Sequence, residues 1–259
     1  MPSEGLTETC LLHFDQTGDN RLEIKKIEVP KNIVLTIDSL PEQINWIHVI
    51  SGRFFYYNKL ISNEQICFIP EGIKVSLRAD EDTSVLLCTV EKYKRFEQEV
   101  LEPVSSIRII DWKNEPVLQS EHDDRKRIYI ATKSLWGTNS VKGEMILYPK
   151  NTKAPAHYHV GAEHFQYILS GSGFAFVDGK EIKVEAGDLV YNYENEVHWF
   201  DNREADLFSF VEYFIPGKYR TIWVKKEKVC TWSPTGQNFD GGKPTRYIEG
   251  HRSDDKVEL

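Results

Sequence analysis

A ten-residue pattern of this chain recurs in its second half. Trp46-Ile47-His48-Val49-Ile50-Ser51-Gly52-Arg53-Phe54-Phe55 parallels Phe165-Gln166-Tyr167-Ile168-Leu169-Ser170-Gly171-Ser172-Gly173-Phe174, with Gly171 standing 119 residues after Gly52. Further on, Ile69-Pro70-Glu71-Gly72-Ile73-Lys74-Val75 parallels Asn192-Tyr193-Glu194-Asn195-Glu196-Val197-His198 at an offset of 123, so one small indel separates the halves. Such a repeat calls for two similar folding units rather than one continuous architecture. Runs rich in Val, Ile, Phe and Tyr, at 32–37, 46–50, 54–57, 85–90, 145–148, 173–177 and 207–213, are broken by Gly, Pro, Asn or Asp. Their spacing of roughly 8 to 12 residues is that of an all-β sandwich or barrel. One segment differs: 91–102 sets Tyr93, Phe96 and Val100 at helical spacing and stops before Pro103. The expectation is two β units, 1–102 and 103–225, joined by a short helix and followed by a tail over 226–259.

The 259 residues suffice for two units, and 40% hydrophobic with 12% aromatic content supplies an ordinary globular core. A formal net charge of −8 speaks against nucleic acid as a partner, because such binding begins with a basic surface. Arg125-Lys126-Arg127 and Lys225-Lys226 read as solvated faces. No apolar run approaches the ~18 residues of a membrane-spanning helix. The opening Met1-Pro2-Ser3-Glu4 is acidic and carries no secretory signal. Cys10, Cys67, Cys88 and Cys230 form no Cys-x-x-Cys pair and suit reduced thiols, which makes a cytoplasmic location the expectation.

Four of the eight histidines fall in one pattern, His157-x-His159-x4-His164, with His198 thirty-four residues later. In an extended strand His157 and His159 share a face, about 6.5 Å apart, within reach of one ion. His164 opens the apolar run that ends at Ser170-Gly171, and a hairpin would return it beside the pair. Imidazole suits Fe, Zn, Cu and Ni, and closed structural zinc sites usually recruit Cys, which this pattern lacks. Gln166, two past His164, shares its face and is placed to bond substrate or a metal-bound water. Glu163 precedes His164 and faces away, unless a bulge shifts the register and makes Glu163 the ligand instead. Tyr148 and Trp136 lie just upstream, and Phe174, Phe176 and Phe200 are expected to face inward. Together these aromatics read either as a substrate pocket or as plain core.

These residues carry a resemblance. The second half resembles the cupin superfamily, whose motifs read G-x5-H-x-H-x3–4-E-x6-G and G-x5-P-x-G-x2-H-x3-N. This chain has Asn151-x5-His157-x-His159-x4-His164-x6-Gly171 and Gly187-x5-Tyr193-x-Asn195-x2-His198-x3-Asn202. The departures are Asn151, Tyr193 and Asn195 at turn positions and His164 where the family has Glu. With the repeat, the whole chain resembles a bicupin: two tandem double-stranded β-helix (jelly-roll) barrels. Carrying the ligand positions into the first half meets Asn45, Val75 and the region of Asp38 and Leu40, which rebuild no imidazole site, while Pro70 and Gly72 keep the family's turn. His48 aligns with Tyr167 and not with a ligand.

The resemblance implies one divalent metal on His157, His159, His164 and His198, with Fe2+ favoured and Mn, Ni, Zn or Cu also used by cupins. It implies an iron-dependent dioxygenase acting with O2 on a small aromatic or carbonyl-containing substrate. The alternatives are a non-redox isomerase, lyase or aminohydrolase and a non-enzymatic small-molecule-binding cupin. A homodimer is the family expectation. Neither nucleic acid nor membrane is an expected partner.

Overall fold

The computed structural model describes residues 5–97, 102, 104–224 and 227–253. They form two compact units, one running to Trp112 and taking in Leu135–Gly137, the other comprising Lys113–Ser134 and the chain from Thr138 onward. The first unit has a six-stranded sheet ordered Thr7–Leu12, Glu23–Val29, Thr83–Glu91, Gln43–Ser51, Gln65–Ile69, Arg108–Asp111. Its second sheet orders Val34–Asp38, Lys74–Ala79, Arg53–Tyr56 and Lys59–Ser62. Alternation puts one face of each inward: Val75, Leu77 and Ala79 are buried while Lys74, Ser76 and Arg78 are exposed. The enclosed core is mostly aliphatic, with Ile27, Val29, Ile47, Val49 and Ile61 packed around Phe54.

The second unit repeats the plan. One sheet orders Leu189–Asn192, Glu163–Ser170, Leu207–Ile215, Lys142–Pro149, Lys126–Ala131, Val117–Ser120, Thr231–Pro234 and His251–Arg252. The facing sheet orders Lys180–Glu185, Ser172–Val177, His198–Asn202, His157–Val160 and Arg220–Trp223, with Thr152–Lys153 paired to His198–Asn202. Among the described residues all strand pairs in both units are antiparallel. This is an all-β architecture of two barrels, as the resemblance to a bicupin implies. The tail contributes the last two strands of the larger sheet, and Trp232 is 1% exposed.

The repeat is structural in detail. Gln43–Ser51 and Glu163–Ser170 carry the same irregularity against their neighbours, at Val49/Ser51 and at Ile168/Ser170. Gly52 and Gly171 follow at φ of +76° and +74°. A Cβ at Gly171 would lie 2.1 Å from the Leu207 carbonyl oxygen, and one at Gly52 would lie 2.5 Å from that of Asp82. Two of the departures from the motif keep its backbone. Asn151 and Asn195 stand at φ of +66° and +67°, the left-handed region that Asn tolerates better than any residue but Gly.

Several expectations are corrected. Tyr93–Phe96 forms one 3₁₀ turn, not a helix over 91–102: Lys92 sits at φ +51°, Glu97 is extended, and Val100 lies outside the described residues. A single turn is too short to hold itself, so tertiary bonds fix it, among them Tyr93 N–H to the Glu42 carbonyl at 3.2 Å. Trp136 leaves the histidine region altogether. It is fully buried in the first unit, stacked on Phe68 at 4.7 Å and tilted against Trp46 at 5.6 Å. The Arg125-Lys126-Arg127 run is not a solvated face either. Strand alternation exposes Lys126 but buries Arg125 against Asp123 and aims Arg127 at Glu144; Lys225-Lys226 lies outside the described residues.

Candidate metal centre

The strand register assembles the site. His157 lies opposite His198 on one neighbour and opposite Trp223 on the other, and His159 lies opposite Thr221. Directly opposed residues project to the same face, so all five line the interior of the second barrel. One ring nitrogen from each of His157, His159 and His198 lies within 4.8 Å of the others. The remaining nitrogens are committed. His157 Nδ1 donates to the Pro155 carbonyl at 2.8 Å, His198 Nδ1 to the Glu196 carbonyl at 2.8 Å, and His159 Nδ1 meets Thr221 Oγ1 at 3.2 Å. Each contact turns its Nε2 toward the shared centre, the arrangement by which outer contacts fix tautomer and aim in a metal-binding imidazole. His159 Nε2 and His198 Nε2 are buried and have no protein partner.

His164 reaches the same centre from the other sheet. It was expected back through a hairpin; instead Gly161, at φ +95°, and Ala162 carry the chain across to the larger sheet. The His164 ring stands 4.7 Å from that of His159 and 4.5 Å from that of His198, stacked on Phe214 at 4.8 Å. Its Nε2 lies 3.4 Å from Glu212 Oε1 and 3.5 Å from Asn192 Nδ2, while its buried Nδ1 has no partner. Burial and then the neighbouring rings hold His157, His159 and His164 well below the ordinary imidazole range, and burial lowers His198 to about 4. The cluster is therefore neutral at physiological pH, the form that offers lone pairs to a metal.

Beneath the histidines the register builds two further layers. Lys142, Phe214, His164 and Asn192 are successive cross-strand neighbours, as are Glu144, Glu212 and Gln166, and then Ile146, Phe210 and Ile168. The middle layer is a buried polar network. Gln166 Nε2 donates to Glu212 Oε1 at 2.5 Å and its Oε1 accepts from Asn192 Nδ2 at 2.9 Å. Arg127 faces Glu144 at 3.0 Å and donates to the Tyr129 hydroxyl at 3.2 Å; that hydroxyl meets His251 Nε2 at 2.8 Å. Burial, followed by the adjacent Glu144 carboxylate, pushes Glu212 up to about 8.

The lowest layer settles the aromatic residues. Tyr148 and Phe200 pack with Phe208 and Phe210, ring centres 4.8–6.0 Å apart, in a closed apolar core. Phe174 and Phe176 face out, because the inward positions of their strand belong to Gly173 and Ala175, and a Cβ at Gly173 would lie 2.8 Å from the Phe208 ring. Phe176 stacks on Trp199 at 4.6 Å, and Arg203 lies over Phe174 at 4.6 Å. None of the four lines an open pocket beside the histidines. Glu163 also faces away and accepts a hydrogen bond from Tyr191.

The interior residues that sequence reasoning missed are Trp223, Tyr219, Thr221, Lys142, Asn192, Glu144 and Glu212. The Trp223 ring stands 5.0 Å from that of His157, and Tyr219 stands 4.9 Å from His159. Glu144 and Glu212 had a usable signal: each is an acid at an inward position of an otherwise apolar strand. Trp223 and Tyr219 had none, since one lies on, and the other just before, the strand Arg220–Trp223, which only the fold places beside His157.

Comparison with known proteins agrees with this geometry. Residues 143–214, which contain all four histidines, match the cupin domain family. No curated protein matches the chain. Among solved structures, a single-residue variant of Bacillus subtilis oxalate decarboxylase is similar over 79% of this chain and 71% of that one, at 13% identity and TM-score 0.62. A second variant of that enzyme gives 14% identity over the same shares at TM-score 0.61. A cupin 2 conserved barrel domain protein from Leptotrichia buccalis is similar over 83% of this chain and 91% of that one, at 13% identity and TM-score 0.58. The second barrel thus matches the cupin domain family, and the two barrels built on one plan share the fold of these two-barrel cupin structures.

Proposed function

We propose that the second barrel is the centre of a divalent-metal enzyme acting on a small molecule, with His157, His159 and His198 as ligands and His164 as a fourth donor. The convergence of three outward-committed imidazoles on one point, two with buried and partnerless Nε2 atoms, carries this reading. The donor set fits a first-row ion, being all neutral nitrogen and fixed by outer contacts. When bound, such an ion supplies Lewis acidity and a template for substrate and, if it is Fe2+, redox chemistry toward O2. Phe214 and Tyr219 wall the histidines, stacked on each other at 4.2 Å. Gln166 ties Asn192 to Glu212 and so fixes the polar floor on which His164 rests.

An iron-dependent dioxygenase is the first finer reading, because three or four protein donors leave room for both a chelating substrate and O2. A non-redox lyase, isomerase or aminohydrolase, using Mn, Ni or Zn, is favoured by a different observation. Glu212, its carboxyl raised to about 8 by burial and lying 3.4 Å from His164, offers a group suited to proton exchange at the edge of the site. The fold likeness to an enzyme named for decarboxylation supports enzymatic use of this scaffold but not a particular reaction.

Elemental analysis of protein purified without oxygen or added metal separates these readings, beside a His157→Ala/His159→Ala control. Near-stoichiometric iron that the control lacks, with O2 uptake on substrate screening, supports the dioxygenase. Mn, Ni or Zn lost in the control moves the weight to non-redox chemistry. No metal after reconstitution would leave a small-molecule-binding barrel.

A further inference from the structure

Lys142 opens the strand Lys142–Pro149 opposite Phe214, which itself lies opposite His164, so the lysine belongs to the histidine layer. Its ammonium lies 5.0 Å from the Tyr129 ring centre, 5.1 Å from that of Tyr219 and 6.0 Å from that of Phe214. It donates to the Tyr219 hydroxyl at 3.3 Å. Tyr219 stands edge-on to His159 at 4.9 Å, so one aromatic ring separates the ammonium from the histidine cluster.

The neighbouring cations are matched: Arg127 faces Glu144 at 3.0 Å and Arg125 faces Asp123 at 2.6 Å. Glu212 is engaged by Gln166. Among the described residues no carboxylate pairs with Lys142, whose polar partner is the Tyr219 hydroxyl. A half-buried ammonium among rings keeps part of its desolvation cost without an anion. Neutral imidazoles likewise bring no charge to balance a divalent ion. One anionic group on a bound molecule meets both needs, and the Tyr219 oxygen, accepting from Lys142, leaves its own hydrogen free to donate to that group.

We propose that Lys142 and Tyr219 anchor a carboxylate of the substrate, which makes the substrate a small chelating acid: a 2-oxo acid, a 2-hydroxy acid or a dicarboxylate. This rests on the metal reading of the histidines, and the test separates the two. Co2+ is loaded first and its visible spectrum recorded in wild type and in His157→Ala/His159→Ala. A spectrum absent from wild type, or unchanged in the double variant, removes the metal reading and the anchor with it, before any acid is added.

The loaded protein is then titrated with oxalate, with pyruvate, and with pyruvamide, which keeps both oxygen donors of pyruvate but not the charge. Wild type is expected to bind pyruvate at least about tenfold more tightly than pyruvamide. Lys142→Met is expected to lose about tenfold or more for both acids, Lys142→Arg to recover most of it, and pyruvamide to stay within about twofold throughout. Tyr219→Phe is expected to lose about threefold for the acids alone. The anchor is overturned if Lys142→Met binds both acids as wild type does, if pyruvamide weakens in parallel, or if loaded wild type responds to neither acid. Parity of pyruvate and pyruvamide in wild type overturns it without any variant.

Discussion

His48 and His198 are both buried imidazoles lowered to about 4, yet they differ in surroundings. His198 sits among three other imidazole rings, whereas His48 lies in the first barrel, its Nδ1 without a hydrogen-bond partner among the described residues. Burial alone favours its neutral form, so the folded state binds fewer protons than the unfolded state between pH 6.5 and about 4. Stability from this residue is therefore full above pH 6.5 and is lost as pH falls toward 4, by about 3 kcal/mol over the window. His48→Leu is expected to shift the acid-unfolding midpoint downward in a pH series of thermal melts; an unmoved midpoint would show that His48 takes no part. At Gln166 the balance is polar. Gln166→Leu strands Asn192 and Glu212, both in the barrel interior, and is expected to cost about 2–3 kcal/mol in denaturant unfolding. A loss below about 0.5 kcal/mol would mean that water replaces the amide.

At the scale of the element, the turns separate two kinds of glycine. Gly171 and Gly179 both have positive φ, but a Cβ at Gly171 meets the Leu207 carbonyl at 2.1 Å, while at Gly179 nothing lies within 4 Å. Gly179→Ala is expected to cost about 1–2 kcal/mol from backbone strain alone. Gly171→Ala adds a clash with immobile backbone and is expected to cost at least about 3 kcal/mol. Equal melting-temperature losses for the two variants would refute that ranking. The Gly52/Gly171 correspondence was legible because both positions demand the same residue for the same reason. The corresponding demand at 151 and 195 was partly hidden, since Asn satisfies a left-handed backbone and looked like a departure. The 3₁₀ turn at Tyr93–Phe96 is not legible in the sequence, because helical spacing over three residues does not distinguish a turn held by neighbours from a helix that holds itself.

Across the whole molecule, the tail is part of the second barrel rather than an appendage. Trp232 is buried with Leu118, Tyr129, Cys230 and Ile248, and Arg127 lies over its ring at 4.1 Å. Trp232→Ala is expected to lower the stability of the second unit by about 3–5 kcal/mol and to weaken metal retention, because Arg127 also braces Glu144 below the histidines. Calorimetry with metal analysis checks both, and unchanged metal content at the lower melting temperature would uncouple the tail from the site. By itself the sequence determined the two repeated β units and the face shared by His157 and His159. Those follow from period-two alternation and from the few residues that a tight turn accepts, both local properties of the chain. Only the tertiary structure decided that His164 arrives from the opposite sheet, that Phe174 and Phe176 lie on the outer face of the barrel, and that Lys142, Tyr219 and Trp223 border the histidines. Which sheet a strand joins, and in what register, depends on burial summed over partners far apart in sequence, and no local pattern records it.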